Sequence, residues 1–128
     1  IFHQVLKDYP KVIIGGAFTA EKIEKQTRTP IFCEAHNGLK NRRGAIAMAR
    51  RPDVPDSATC HFFIDLGDNE ALDQKDRSLE GYGYCVFGQV VEGIEVADKI
   101  GAVEVTDAGD FEQIPVETVL IKSVRQIR

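Results

Sequence analysis

GAIAMARRPDVPDSATCHFFIDLGDNEALD, from Gly44 to Asp73, is the stretch whose reading decides the fold. It opens with one short apolar run, Ala45 to Ala49, and carries a second, Phe62 to Ile64, both of a length that suits strands rather than helices. The residues between them include Pro52, Asp53, Pro55, Asp56 and Ser57, which preset φ or bond their own backbone, so the two strands are joined by a loop. In the second run a period of two places Cys60, Phe62, Ile64 and Leu66 on one face and His61, Phe63 and Asp65 on the other. The first set reads as core. The second, an imidazole, a large ring and a carboxylate, reads either as a partly open surface with an aromatic floor or as a patch covered by a loop.

Outward from this stretch, 128 residues, 43% hydrophobic and 28% charged, suffice for one globular core and not for two, so residues 1–128 are expected to be a single domain. A net charge of −4 with both signs interspersed argues against a nucleic-acid-binding face. The local basic cluster of Lys40, Arg42, Arg43, Arg50 and Arg51 reads as solvated loop and strand ends. No apolar run approaches the roughly 18 residues of a transmembrane helix, and no membrane partner is expected. Cys33, Cys60 and Cys85 cannot all pair within the chain and show neither scaffold nor zinc spacing; reduced thiols lean towards a reducing, cytoplasmic-type compartment.

In chain order, Ile1 to Leu6 reads as a strand, with Ile1, His3 and Val5 on one face and Phe2, Gln4 and Leu6 on the other. After a polar turn, Val12 to Ile14 forms a second strand, and Gly15-Gly16 marks a bulge or a close backbone approach. Thr19 to Lys40 is charged and irregular, a long surface loop broken at Thr29-Pro30. Asn69 to Leu72 forms one helical turn, and Asp73 to Gly83 a polar loop. Tyr84 to Val91 is the longest strand signal. Gly93 then hands over to a helix through Ile94, Ala97 and Ile100. Glu104 to Pro115 reads as a loop, and Val119 to Ile127 as a last strand with a bulge or bend.

Six strands and one helix point to a small antiparallel sandwich or barrel. Several chemistries fail on geometry. Cys60 and His61 project to opposite faces and cannot act as nucleophile and base. His3, His36 and His61 have no metal-ligand spacing, so neither metal nor cofactor is expected. His3, on a core-facing position between Ile1 and Val5, reads as a buried, hydrogen-bonded structural histidine.

Many short segments also occur in one characteristic order: Ile1-Phe2-His3, Gly15-Gly16-Ala17-Phe18, Glu34-Ala35, Asn37-Gly38-Leu39, Arg43 to Ala49, Ser57-Ala58-Thr59, Phe62-Phe63-Ile64, Leu72-Asp73, and Tyr84 with Val86-Phe87-Gly88. Together they cover nearly the whole chain and resemble the bacterial branch of the cyclophilin family of peptidyl-prolyl cis-trans isomerases. The resemblance implies a mostly β fold, a closed antiparallel barrel of eight strands, about six of them in this chain, with a capping helix near 94–101. By that comparison the chain starts after the family's first two strands and first helix. The expectation is a piece of a longer polypeptide that does not fold stably alone.

The resemblance also implies rotation about Xaa-Pro bonds in proline-containing peptides and unfolded proteins, with no cofactor. The pocket floor falls on Phe2, Val12, Phe63, Leu72 and Tyr84, and the peptide-holding backbone on Ala49 and Arg50. The family's catalytic arginine falls on Gln4. Its supporting glutamine falls on Ile14, a second glutamine on His61, and a usually aromatic position on Ala71. Cyclosporin-like cyclic peptides are implied ligands, weakened by Gln4 and Ala71. Two functions follow: an isomerase assisting folding with reduced activity, or a catalytically weak or silent module that binds proline segments as chaperone or scaffold. A purely structural domain is the third reading.

Overall fold

β-branched and aromatic runs become strands wherever a neighbour can satisfy their backbone groups, and in the computed structural model, which describes residues 1–127, seven such strands form. They are β1 (Phe2–Leu6), β2 (Val12–Gly15), β3 (Ala45–Met48), β4 (Phe62–Asp65), β5 (Val86–Gln89), β6 (Val105–Ala108) and β7 (Phe111–Pro115), with helix α1 (Ile94–Gly101) between β5 and β6. The first five make one antiparallel sheet in the order β1-β2-β4-β3-β5. β6 and β7 pair as a hairpin, and β7 packs along β1. The fold is thus mostly β and antiparallel, with one α-helix, as expected.

Both faces of the sheet are covered. On one, Phe2, Val5, Ile13, Leu66 and Ala97 form a core joined by Phe62, Ile64 and residues of α1. On the other, Val12, Ala45, Ala47, Phe63 and Val86 pack with Leu6, Ile14, Leu72 and Tyr84. The strict alternation along β2 and β4 explains the division. The face expected to be partly open is in fact the deeper one at two positions, since Phe63 is 4% and Asp65 0% exposed while Phe62 and Ile64 are only half-buried. The residues that cover it arrive from the loops around Asn41 and from Asn69 to Tyr84, which no local periodicity reports.

In β1 the expected alternation fails. The pairing skips His3, with Phe2 opposite Gly15 and Gln4 opposite Ile14, so a bulge separates the two. Phe2 therefore joins Val5 in the helix-side core, and Gln4 and Leu6 stay on the opposite face. The Gly15-Gly16 expectation holds: Gly16 has φ +96° and a Cβ there would run into the Cys60 carbonyl.

Two further expectations need correction. Glu104 to Pro115 contains the β6–β7 hairpin, not an open loop, because Val105 and Thr106 can pair with Pro115 and Ile114 across the turn at Gly109. Val119 to Ile127 forms no strand. Val119 and Ile121 pack on the helix-side core and the Phe2 N–H donates to the Val119 carbonyl at 3.1 Å, but Val124 and Ile127 are 85% and 84% exposed. A strand needs a partner's ladder of donors and acceptors, and among the described residues none runs beside this segment. Of the basic cluster, Arg43 forms a two-pronged pair with Asp98 of α1 and Arg51 pairs with Asp53, whereas Arg50 turns inward.

Candidate functional site

Cross-strand register lays out the site. Gln4 of β1 faces Ile14 of β2, Ile14 faces Phe63 of β4, and Phe63 faces Ala47 of β3, so these four form one row across the sheet. A groove of about 630 Å³ lies over this row. Gln4, Ile14 and His61 line one end; Val12, Phe63, Leu72 and Tyr84 line the other; Ala49 and Arg50 form a side wall. These are the residues the sequence nominated, with two exceptions, one being Ala71, which lines a separate cavity with Tyr9 and Asp73. Phe2 is absent from the groove because the bulge at His3 turns its ring towards Phe62, 6.0 Å away between centroids, in the opposite core.

Phe63 and Tyr84 meet edge to face at 5.8 Å, and the Arg50 guanidinium sits over the Tyr84 ring at 4.5 Å. Arg50 also donates to the Gly83 carbonyl at 2.6 Å, which fixes the chain leading into Tyr84. The sequence assigned Arg50 only a backbone role; its side chain is part of the wall. Ala49 donates its N–H to the His61 carbonyl at 3.0 Å, tying the wall to the strand end that carries His61.

The apolar end has a frame that sequence reading missed. Asn41 is almost fully buried; its amide donates to the Leu72 carbonyl and to Asp73, and its backbone N–H also bonds the Asp73 carboxylate. Asn69, equally buried, bonds both the N–H and the carbonyl of Lys11 and donates to Asp65 at 2.8 Å. Tyr84 N–H then bonds the Leu72 carbonyl, and the Tyr9 hydroxyl accepts from Ala71. The long turn at Lys7 to Lys11 is thereby tied to the segment that presents Leu72. Burial pushes the Asp65 carboxyl up to about 7, and its second oxygen has no hydrogen-bond partner among the described residues. In a sequence, a buried Asn cannot be told from a turn-forming one, so no signal marks this frame.

At the other end no such frame exists. Neither the Gln4 amide nor the His61 ring has a hydrogen-bond partner among the described residues. His3 is buried, as expected, but its Nδ1 is unpartnered and it packs on aromatic rings, Phe18 at 4.8 Å and His61 at 5.3 Å. Burial, with His61 close by, holds His3 down to about 4, and burial also lowers His61. Both rings are neutral near pH 7. Among the described residues no group of three or more metal-ligating side chains occurs. The site offers an apolar floor and free donors at one edge, an arrangement suited to holding a peptide.

Comparison with known proteins agrees with this chemistry. The model of the family described as "Cyclophilin type peptidyl-prolyl cis-trans isomerase/CLD" matches residues 1–126. Peptidyl-prolyl cis-trans isomerase B of Escherichia coli (strain K12) is 47% identical over 124 residues, which are 97% of this chain and 74% of that protein. Peptidyl-prolyl cis-trans isomerase A of Dickeya dadantii is 42% identical over 128 residues, all of this chain and 64% of the relative. A crystal structure of a cyclophilin-type isomerase from Cryptosporidium parvum superposes with a TM-score of 0.69, covering 95% of this chain and 69% of that one. A second structure of that protein, in the presence of the dipeptide Ala-Pro, gives 0.65 over 91% and 67%. At 21% identity these two speak to the fold.

Proposed function

The chain belongs to the cyclophilin-type peptidyl-prolyl cis-trans isomerases, and on that footing we propose that it binds proline-containing segments across Phe63 and isomerises them slowly. The observation that supports this is the groove itself, in which an apolar pocket and free donors lie on one cross-strand row. Rotation about an Xaa-Pro bond must overcome a barrier of about 18–20 kcal/mol set by amide resonance. What accelerates it is a donor that bonds the prolyl unit more strongly when the amide is twisted than in either planar isomer, since equal binding of both gains nothing. Extended backbone would run along Ala49 and Arg50, with the proline ring between Phe63, Leu72 and Tyr84. Cyclosporin-like cyclic peptides would lie on the same floor, held weakly where Gln4 and Ala71 offer little.

Gln4 sets the rate. A guanidinium presents a rigid fork of charged donors, whereas a glutamine amide has one neutral NH₂ and an oxygen that can face the substrate instead. Charged hydrogen bonds contribute about 1.5–3 kcal/mol against about 1 for neutral ones, which corresponds to roughly tenfold in rate. Ile14, directly opposite Gln4, gives the amide nothing to bond, so Gln4 is left unoriented. Exchange NMR on an Ala-Pro peptide tests the reading. Gln4→Arg is expected to gain about tenfold, more with Ile14→Gln added, while Gln4→Ala stays close to the parent. A parent rate typical of efficient isomerases and indifferent to Gln4→Ala would refute it. His61 supplies a second donor when protonated, and because burial lowers its pKa, any acid-side rise in rate is expected below the ordinary 6.5.

A further inference from the structure

The groove does not end at Gln4 and His61. A second cavity of about 560 Å³ adjoins it, sharing His3, Gln4, Glu24 and His61 and walled by Phe18 and Phe111. Phe18 and Phe111 meet edge to face at 4.9 Å, an apolar corner long enough to take an alkyl stem. Glu24, Asp110 and Glu112 also line it, three carboxylates against the single lining ammonium of Lys22. That ammonium already lies 6.0 Å from the centre of the Phe111 ring, so the protein itself places a cation on this aromatic face. In the shared wall, His3 is 9% exposed with an Nδ1 that has no partner among the described residues, although a buried polar atom without one is costly. With burial keeping the ring neutral near pH 7, one imidazole nitrogen remains an acceptor.

We propose that this cavity is a subsite for a lysine or arginine side chain next to the Xaa-Pro step, with its stem against Phe18 and Phe111 and its charge among Glu24, Asp110 and Glu112. The assignment rests on the proline-binding reading of the main groove and adds a preference to it: basic residues flanking proline are favoured and acidic ones disfavoured. Lys22 acts as a resident competitor for the same aromatic face. The preference is electrostatic at a solvated rim and fades with salt.

Three peptides test this, each with an Ala-Pro core flanked on both sides by lysine, by norleucine or by glutamate. Their affinities for the purified protein are read by NMR titration. At low salt the lysine peptide is expected to bind about three- to tenfold more tightly than norleucine, and the glutamate peptide more weakly. That ratio is expected to fall towards one in the Asp110→Asn/Glu112→Gln variant and at about 0.5 M salt, and to grow in Lys22→Ala. If all three peptides bind equally while shifting Phe63 and Tyr84 resonances, the subsite is wrong and the groove stands. A lysine preference that survives both the double variant and high salt also overturns the subsite. If no peptide shifts those resonances, both readings fall.

Discussion

The two ends of the groove are built on different principles. Around Leu72 and Tyr84, buried Asn41 and Asn69 cross-brace three segments with hydrogen bonds to backbone and carboxylate, so the apolar pocket is held as part of the core. At the other end the His61 ring meets His3 and Phe18 edge to face, and neither it nor the Gln4 amide has a hydrogen-bond partner among the described residues. A hydrogen-bonded frame preserves shape under sequence change, whereas unbraced donors keep their chemistry only while the right residue stands in the right place. Binding is therefore expected to be robust in this protein and catalysis fragile.

The comparison can be broken most sharply at Phe63, which is core and floor at once. Phe63→Ala is expected to cost about 3–5 kcal/mol of stability, read from the urea midpoint, along with peptide binding. A variant that loses binding with its stability intact would show that the floor is separable from the core. Next, Asn41→Ala should cost about 1–3 kcal/mol, since it empties a buried position and removes the amide's bonds to the Asp73 carboxylate and the Leu72 carbonyl, and should move Leu72 and Tyr84 resonances. Gln4→Ala at the unbraced end should stay within about 0.5 kcal/mol of the parent. Equal losses at Asn41 and Gln4 would erase the distinction between the ends.

The smallest change is expected in the protein's own pH profile, because the two ends contribute slopes of opposite sign. Asp65 is held up to about 7 from an ordinary 3.8, so the folded state binds the extra proton between these values and stability falls as pH rises through them. His3 is held down to about 4 from 6.5, so the unfolded state binds the extra proton there and stability falls as pH drops through that window. Between about 4 and 6.5 the slopes oppose each other. Denaturation across pH should unmask one slope in Asp65→Asn and the other in His3→Gln; parallel profiles for all three proteins would remove both groups from the account.

Much of this was legible beforehand. Val12 to Ile14 was legible as a strand, the period of two from Cys60 to Leu66 separated its two faces although not which lay deeper, and Gly93 with Ile94, Ala97 and Ile100 located the helix, since these patterns depend only on neighbours in the chain. The ordered short segments carried the family. What misled was any feature that depends on a distant partner. Phe2 left the groove because of a bulge set by pairing with β2, the β6–β7 hairpin emerged where polar residues suggested a loop, and Val119 to Ile127 found no ladder to join.

By itself the sequence determined the local periodicities, the turn positions and the residue types offered at Gln4 and Ile14, because each is a property of residue type and spacing. Only the tertiary structure decided that Phe63 and Asp65 would be buried, that Asn41 and Asn69 would frame the pocket, and that Phe18, Phe111 and Glu24 would meet His3 beyond it. Burial and convergence are properties of segments far apart in the chain, brought together when the sheet and its covering loops close over the same apolar surface.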